Sequence, residues 1–157
     1  MQDQLFNAIR AGDVASVKKV IATHPEHINT RDSRGSSPLL LATYYGNEDI
    51  SKALLDAGAD VNARDASGNT PLMGVCFKGY TPMAKMLLEH GADVNAINFN
   101  QASALIYAAT FNQQEIIDLL LEAGADKGLK DTRGHTAADH ARLQGLEELS
   151  KKLEHAG

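Results

Sequence analysis

Four acid or amide residues, Asp32, Asp65, Asn98 and Asp131, recur every 33 residues without a slip. A fixed period of that length means that one supersecondary unit is copied along the chain. A single unit cannot bury its own apolar face, so the copies must stack and share a continuous core. The expected organisation is one domain over residues 1–157, with units at 1–31, 32–64, 65–97, 98–130 and 131–157. Three units are full length; the first has a degenerate start and the last is short, which suits capping units at the ends of a stack.

Each unit reads as helix, turn, helix, loop. Ser37, Thr70, Ser103 and Thr136 can cap a first helix by accepting a backbone N–H, and Pro38 and Pro71 follow where no N–H is needed. Gly46, Gly79 and Gly145 stand where that helix ends, Gly58, Gly91 and Gly124 where the second helix ends, and Gly35, Gly68 and Gly134 in the turn between units. Ile50, Leu54 and Leu55, then Met83, Leu87 and Leu88, then Ile116, Ile117, Leu120 and Leu121 lie one helical turn apart and give each second helix one apolar face. Gln2, Asp3, Gln4 and Asn7 at one end, and Glu147, Glu148, Lys151 and Lys152 at the other, suit solvated outer faces. The last four form two acid-to-base pairs at i,i+4.

Composition excludes several classes. No stretch approaches the roughly 20 apolar residues of a membrane span, and the segment MQDQLFNAIRAGD has neither the basic flank nor the apolar centre of a secretory leader. Cys76 is the one cysteine, so the chain forms no internal disulfide. The expected location is cytoplasmic, a reducing compartment. A net charge of −5 opposes general binding to nucleic acid or anionic membrane.

These motifs resemble the ankyrin repeat family, whose units open on Asp-x-x-Gly-x-Thr-Pro-Leu and close on Leu-Leu-x-x-Gly-Ala-Asp-Val-Asn-Ala. Residues 65–97 carry nearly all of that pattern and residues 32–64 most of it. The resemblance implies an all-α solenoid of five stacked helix-turn-helix units with protruding loops, acting as a non-enzymatic module that binds another protein. The departures carry expectations too. Leu40, Met73, Ile106 and Asp139 replace the histidine that usually follows Thr-Pro-Leu, which removes a hydrogen bond between repeats. Gly74 replaces a leucine of the first helix, at a cost of roughly 1 kcal/mol in helix propensity. Asn29, Asn62 and Asn95 keep the loop asparagine, whereas Lys127 and Gly128 replace Val-Asn in the last loop and predict a looser cap.

A search for chemistry returns little. His24 and His27 flank Glu26, but Pro25 places them in a loop and the pattern supplies no third ligand. His135, Asp139 and His140 fall together in the last unit with no activated nucleophile beside them. The glycines recur with the repeat and lack the Lys-Ser/Thr of a phosphate cradle. Cys76 aligns with a small buried alanine of the family and reads as a core thiol. No catalytic residue, metal site or cofactor is expected.

Function then rests on a surface. In the resembled family the concave face and the loops take the variable positions of each unit. Carried over, these are Arg34, Tyr44, Tyr45 and Arg64, then Asn69, Phe77, Lys78, His90 and Ile97, then Phe99, Asn100, Ala102, Thr110, Phe111 and Lys130, with Arg133 in the last unit. Five of the eight aromatics, Tyr44, Tyr45, Phe77, Phe99 and Phe111, occupy such positions, which core demand does not explain. Tyr44, Phe77 and Thr110 share one slot and Tyr45, Lys78 and Phe111 the next, which predicts an aromatic stripe across neighbouring units. Arg34, Arg64, Lys78, Lys130 and Arg133, with Arg10 and Arg31 at matching slots, predict a face more positive than the whole. The expected partner is a protein segment with acidic and apolar contact residues. The alternatives are a small-ligand or metal-binding protein or enzyme, and a weak nucleic-acid binder through the basic stripe.

Overall fold

A computed structural model describes residues 2–154, with the backbone alone at Gln2, so the expectation placed on the Gln2 side chain falls outside the described residues. Among the described residues ten α-helices run in five antiparallel pairs: α1 (Gln2–Ala11) with α2 (Val14–Thr23), α3 (Pro38–Tyr44) with α4 (Glu48–Asp56), α5 (Pro71–Lys78) with α6 (Thr81–Glu89), α7 (Ala104–Thr110) with α8 (Gln114–Glu122), and α9 (Ala137–Leu143) with α10 (Glu147–Glu154). A short 3-10 turn, Pro25–His27, follows α2. The first helices pack in series, α1 on α3, α3 on α5, α5 on α7 and α7 on α9, and α2, α4, α6 and α8 form a second layer behind them.

The same atoms start the first helix in units two to five. Ser37, Thr70, Ser103 and Thr136 each accept the N–H of the residue three positions on. In the last unit Asp139, standing where the family has histidine, returns the bond to the Thr136 N–H at 2.9 Å and completes a capping box. That bond lies within one unit and does not replace the bond between repeats whose loss is expected at that slot. Left-handed backbone falls at the turns and helix ends where glycine predicts it, but two of these positions in the fourth unit take it without glycine: Gln101 in the turn has φ 59° and Asn112 after α7 has φ 56°.

Stacking sorts the core into columns 33 residues apart. Leu39, Leu72, Leu105 and Ala138 form one, Ala42, Val75, Ala108 and Ala141 a second, Ile50, Met83, Ile116 and Leu149 a third, and Leu54, Leu87, Leu120 and Leu153 a fourth, all buried. Each column continues the apolar face of one unit into the next, which a lone pair of helices could not do.

Polar bonds repeat in register with the columns. Asn29, Asn62 and Asn95 each accept, through Oδ1, the backbone N–H of the residue 31 positions on, at 2.8, 2.8 and 2.7 Å. Arg31 and Arg64 donate to the carbonyls 33 positions on, Arg64 and Ile97. The asparagine ladder stops at Gly128, which has no side chain to extend it, and Lys127 instead reaches the carbonyl of Lys152 at 3.4 Å. The i,i+4 pairs expected on α10 do not form among the described residues. Lys152 leaves Glu148 and crosses to Asp118 of the preceding unit, while Arg142 holds Asp139 and Glu154. At that end an ion pair between units, itself on the surface, takes the place of an i,i+4 pair that gains only a few tenths of a kcal/mol.

Candidate binding groove

The first helices face a groove of about 860 Å³ that runs over α3 and α5. Leu40, Leu41, Met73 and Pro71 supply an apolar floor, Tyr44, Tyr45, Phe77 and Tyr107 supply rings, and Arg10, Asp32, Arg34, Asp65, Asn69 and Lys78 supply polar groups. Gly74 also lines it, and a Cβ built there would meet nothing within 4 Å.

The rings are not folded away. Tyr44 is 61% exposed, Tyr45 and Phe77 50%, Phe111 44% and Phe99 71%. They do not form the single stripe expected from their slots. Tyr44 and Tyr45 meet edge to face at 5.5 Å between centroids, and Lys78 Nζ sits 4.0 Å above the Tyr44 ring while donating to its carbonyl. One unit on, Phe77 meets Phe111 at 4.7 Å and Tyr107 at 6.3 Å. The contacts run diagonally between slots, so two aromatic clusters result. Phe99 belongs to neither: its ring lies over Gly68 in the loop, where an added Cβ would come within 2.9 Å of it.

The residue opening each unit sets the floor of the loop. Asp32, Asp65, Asn98 and Asp131 each accept through Oδ1 the N–H groups two and four positions on. Their second atoms have different partners. Arg10 reaches Asp32 Oδ2 at 3.5 Å, Asn98 Nδ2 donates to Tyr107 Oη at 2.9 Å and to Asn69 Oδ1 at 2.8 Å, and His140 Nε2 donates to Asp131 Oδ2 at 2.6 Å. Partial burial by itself raises the Asp131 pKa; the bonds from His140 and from the His135 and Arg133 N–H groups outweigh it and hold the carboxyl below its ordinary value.

Of the residues carried over from the resemblance, Arg34, Tyr44, Tyr45, Asn69, Phe77 and Lys78 come together in the groove, with Phe111 against Phe77 at its edge. Arg64 lies outside it, its guanidinium clamped on the Ile97 carbonyl, and Ile97 itself pairs with Ser103 through a single antiparallel bridge. His90 ends α6 in the rear layer, bonded to the Met86 carbonyl and facing Asp56. Thr110 turns its hydroxyl back to the Ile106 carbonyl, and Ala102 is buried. Asn100, Lys130 and Arg133 are exposed on the loops and away from the groove. The basic face is also more self-engaged than expected, since Arg10, Arg31, Arg64 and Lys78 all bond within the chain. Tyr107, Asp65 and Gly74 are groove residues that the variable-position rule passed over. The repeat register contains the missing signal: Leu41, Gly74, Tyr107 and His140 share one slot, and the first three line the groove.

Two clusters bring possible metal ligands within 4.8 Å of one another. In His24, Glu26 and His27 the third ligand is Glu26 itself; in the last unit Asp131, not Asp139, joins His135 and His140. In the second, the short His140–Asp131 bond occupies two of the three ligand atoms. Cys76 is fully buried, and burial pushes its thiol far up, so it holds no thiolate at neutral pH.

Among the described residues no helix is long and apolar enough to cross a membrane. A family model for ankyrin repeats, described as three copies, matches residues 5–98 and 58–131. Such repeats are generally protein–protein interaction modules and are typically non-enzymatic. The two matched segments overlap and span most of the helical pairs, and together with the buried columns at a 33-residue period they place this chain in the ankyrin repeat family.

Proposed function

We propose that this chain binds a partner protein through the groove over α3 and α5 and the loop tips beside it. The observation that carries this reading is the half-exposure of Tyr44, Tyr45, Phe77 and Phe111 in two clusters on one face. Exposed aromatic groups of this size are costly to leave in water and commonly supply the energetic centre of an interface. The partner segment is apolar with acidic residues, because the side chains of Arg34, Lys130 and Arg133 make no hydrogen bond or ion pair among the described residues, while backbone N–H groups and bound bases engage Asp32 and Asp131. The site is a cytoplasmic one in this reading, and the whole of residues 1–157 acts as one domain.

The test is the variant carrying Tyr45→Ala, Phe77→Ala and Phe111→Ala, used beside the unaltered chain in affinity capture from its native cell extract. All three side chains are half exposed, so helical content and melting are expected to change little. Loss of the captured protein supports the groove; undiminished capture by the folded variant refutes it.

A further inference from the structure

The four residues that open the units form a series with one gap. Asp32 Oδ2 has Arg10, Asn98 Nδ2 has Tyr107, and Asp131 Oδ2 has His140. Asp65 Oδ1 takes the N–H groups of Ser67 and Asn69 at 2.8 and 2.9 Å, but no hydrogen bond reaches Asp65 Oδ2 among the described residues. The cause is visible in the register. Tyr107 and His140 stand nine positions after the residue they bond, and the matching position in this unit is Gly74, above which lies open space. This void is part of the groove, which Phe77 on the same helix and Leu41, Tyr44 and Tyr107 on the helices to either side also line.

We propose that this void seats a tyrosine side chain from the partner segment, its ring lying among Tyr44, Phe77 and Tyr107 and its hydroxyl donating to Asp65 Oδ2. The inference rests on the groove being the binding face. Its chemistry is that of the two units that follow, in which a ring with a polar tip on the chain itself fills the same slot, Tyr107 accepting from Asn98 and His140 donating to Asp131. A phenylalanine would cover the carboxylate and give it no donor, which costs more than leaving it in water. A lysine or arginine would satisfy Asp65 but would enter beside Arg10, Arg34 and Lys78, all of which line the groove. A neutral ring with a donor at its tip meets neither objection. Acidic residues beside the tyrosine in the partner then face Arg34.

The experiment pans a random dodecapeptide display library on the full chain and measures the retained peptides as synthetic fluorescent probes. The expected peptides carry a tyrosine with aspartate or glutamate close by, and replacing that tyrosine by phenylalanine weakens binding about tenfold or more, the worth of a hydrogen bond to a charged group. Gly74→Tyr supplies in cis the ring that Tyr107 supplies one unit on, and is expected to weaken binding roughly a hundredfold while raising the melting temperature. Gly74→Leu, the residue usual in the family, blocks the void in the same way should the tyrosine variant not fold. Peptides without tyrosine, equal affinity for the blocked variants, or an empty selection would each overturn the proposal. If peptides that ignore the blocked void are still lost by the Tyr45, Phe77 and Phe111 triple variant, the groove stands and only its occupant is wrong. After an empty selection, extract capture that the same triple variant loses makes the distinction.

Discussion

Gln101 and Asn112 hold left-handed backbone at φ 59° and 56°, in slots where the other full units use glycine. Asparagine enters that region at small cost, whereas a glutamine there gives up on the order of 1 kcal/mol to crowding at its Cβ. Gln101→Gly is expected to stabilise the chain by at most about 0.5 kcal/mol, net of the added freedom of glycine in the unfolded state, and Asn112→Gly by less. Urea unfolding of the two variants checks the order; a destabilised Gln101→Gly would show that the side chain is held by something other than its turn. Cys76 offers a second check at this scale. With its thiol enclosed and its pKa pushed far up, it is expected to resist a thiol reagent in the folded chain and to react at once in denaturant. Single residues were legible in the sequence where one atom explains them: the caps at Ser37, Thr70, Ser103 and Thr136, the glycine stops and the core thiol. Long side chains were not. Nothing in a pattern of residue types tells whether Arg64 points to solvent or to the Ile97 carbonyl, because both positions are a few ångströms apart along one flexible stem.

Helix α5 contains Gly74 near its middle, with no atom beyond its chain neighbours and the surrounding helix backbone within 4 Å of where a Cβ would stand. Gly74→Ala therefore gains helix propensity without a clash and is expected to raise stability by about 1 kcal/mol, with slower amide exchange along α5. The reading of Gly74 from the sequence as a weak point of the helix was correct about the backbone and silent about the space above it, since a pattern registers the residue present and not the volume left by one that is missing. The last pair of helices is expected to respond to acid. At Asp139 the bond from the Thr136 N–H leads, and at Asp131 the His140 bond and the two backbone N–H groups overcome burial; both carboxyls are held below the ordinary 3.8. A depressed folded pKa contributes stability that is fully present above the unfolded value and is lost as pH falls through the folded one. Unfolding of α9 and α10 is thus expected to become easier as pH drops below about 4. Asp131→Asn, which keeps the turn bonds as Asn98 does, is expected to flatten that acid limb; an unchanged pH profile would remove Asp131 from the account.

Across the whole molecule, cohesion comes from contacts between neighbours. Each apolar column passes from one unit to the next, and Asn29, Asn62, Asn95, Arg31 and Arg64 tie the loops along the same axis. Asn62→Ala is expected to cost about 1 kcal/mol and to loosen the coupling between the halves on either side, seen as a broader unfolding transition. The stacking itself was plain from the 33-residue period. The two aromatic clusters were not, because slots count along the chain while rings lean diagonally across it. The ladder of asparagines has one more consequence. Bonds that always span 31 or 33 residues make the period a unit of length in which the molecule can be cut and rejoined. A chain lacking residues 65–97 brings Asn62 to the N–H of Asp126 and Arg64 to the carbonyl of Lys130, with every column still aligned. It is expected to fold as a shorter rod, whereas a deletion of half a period would leave every bond out of phase.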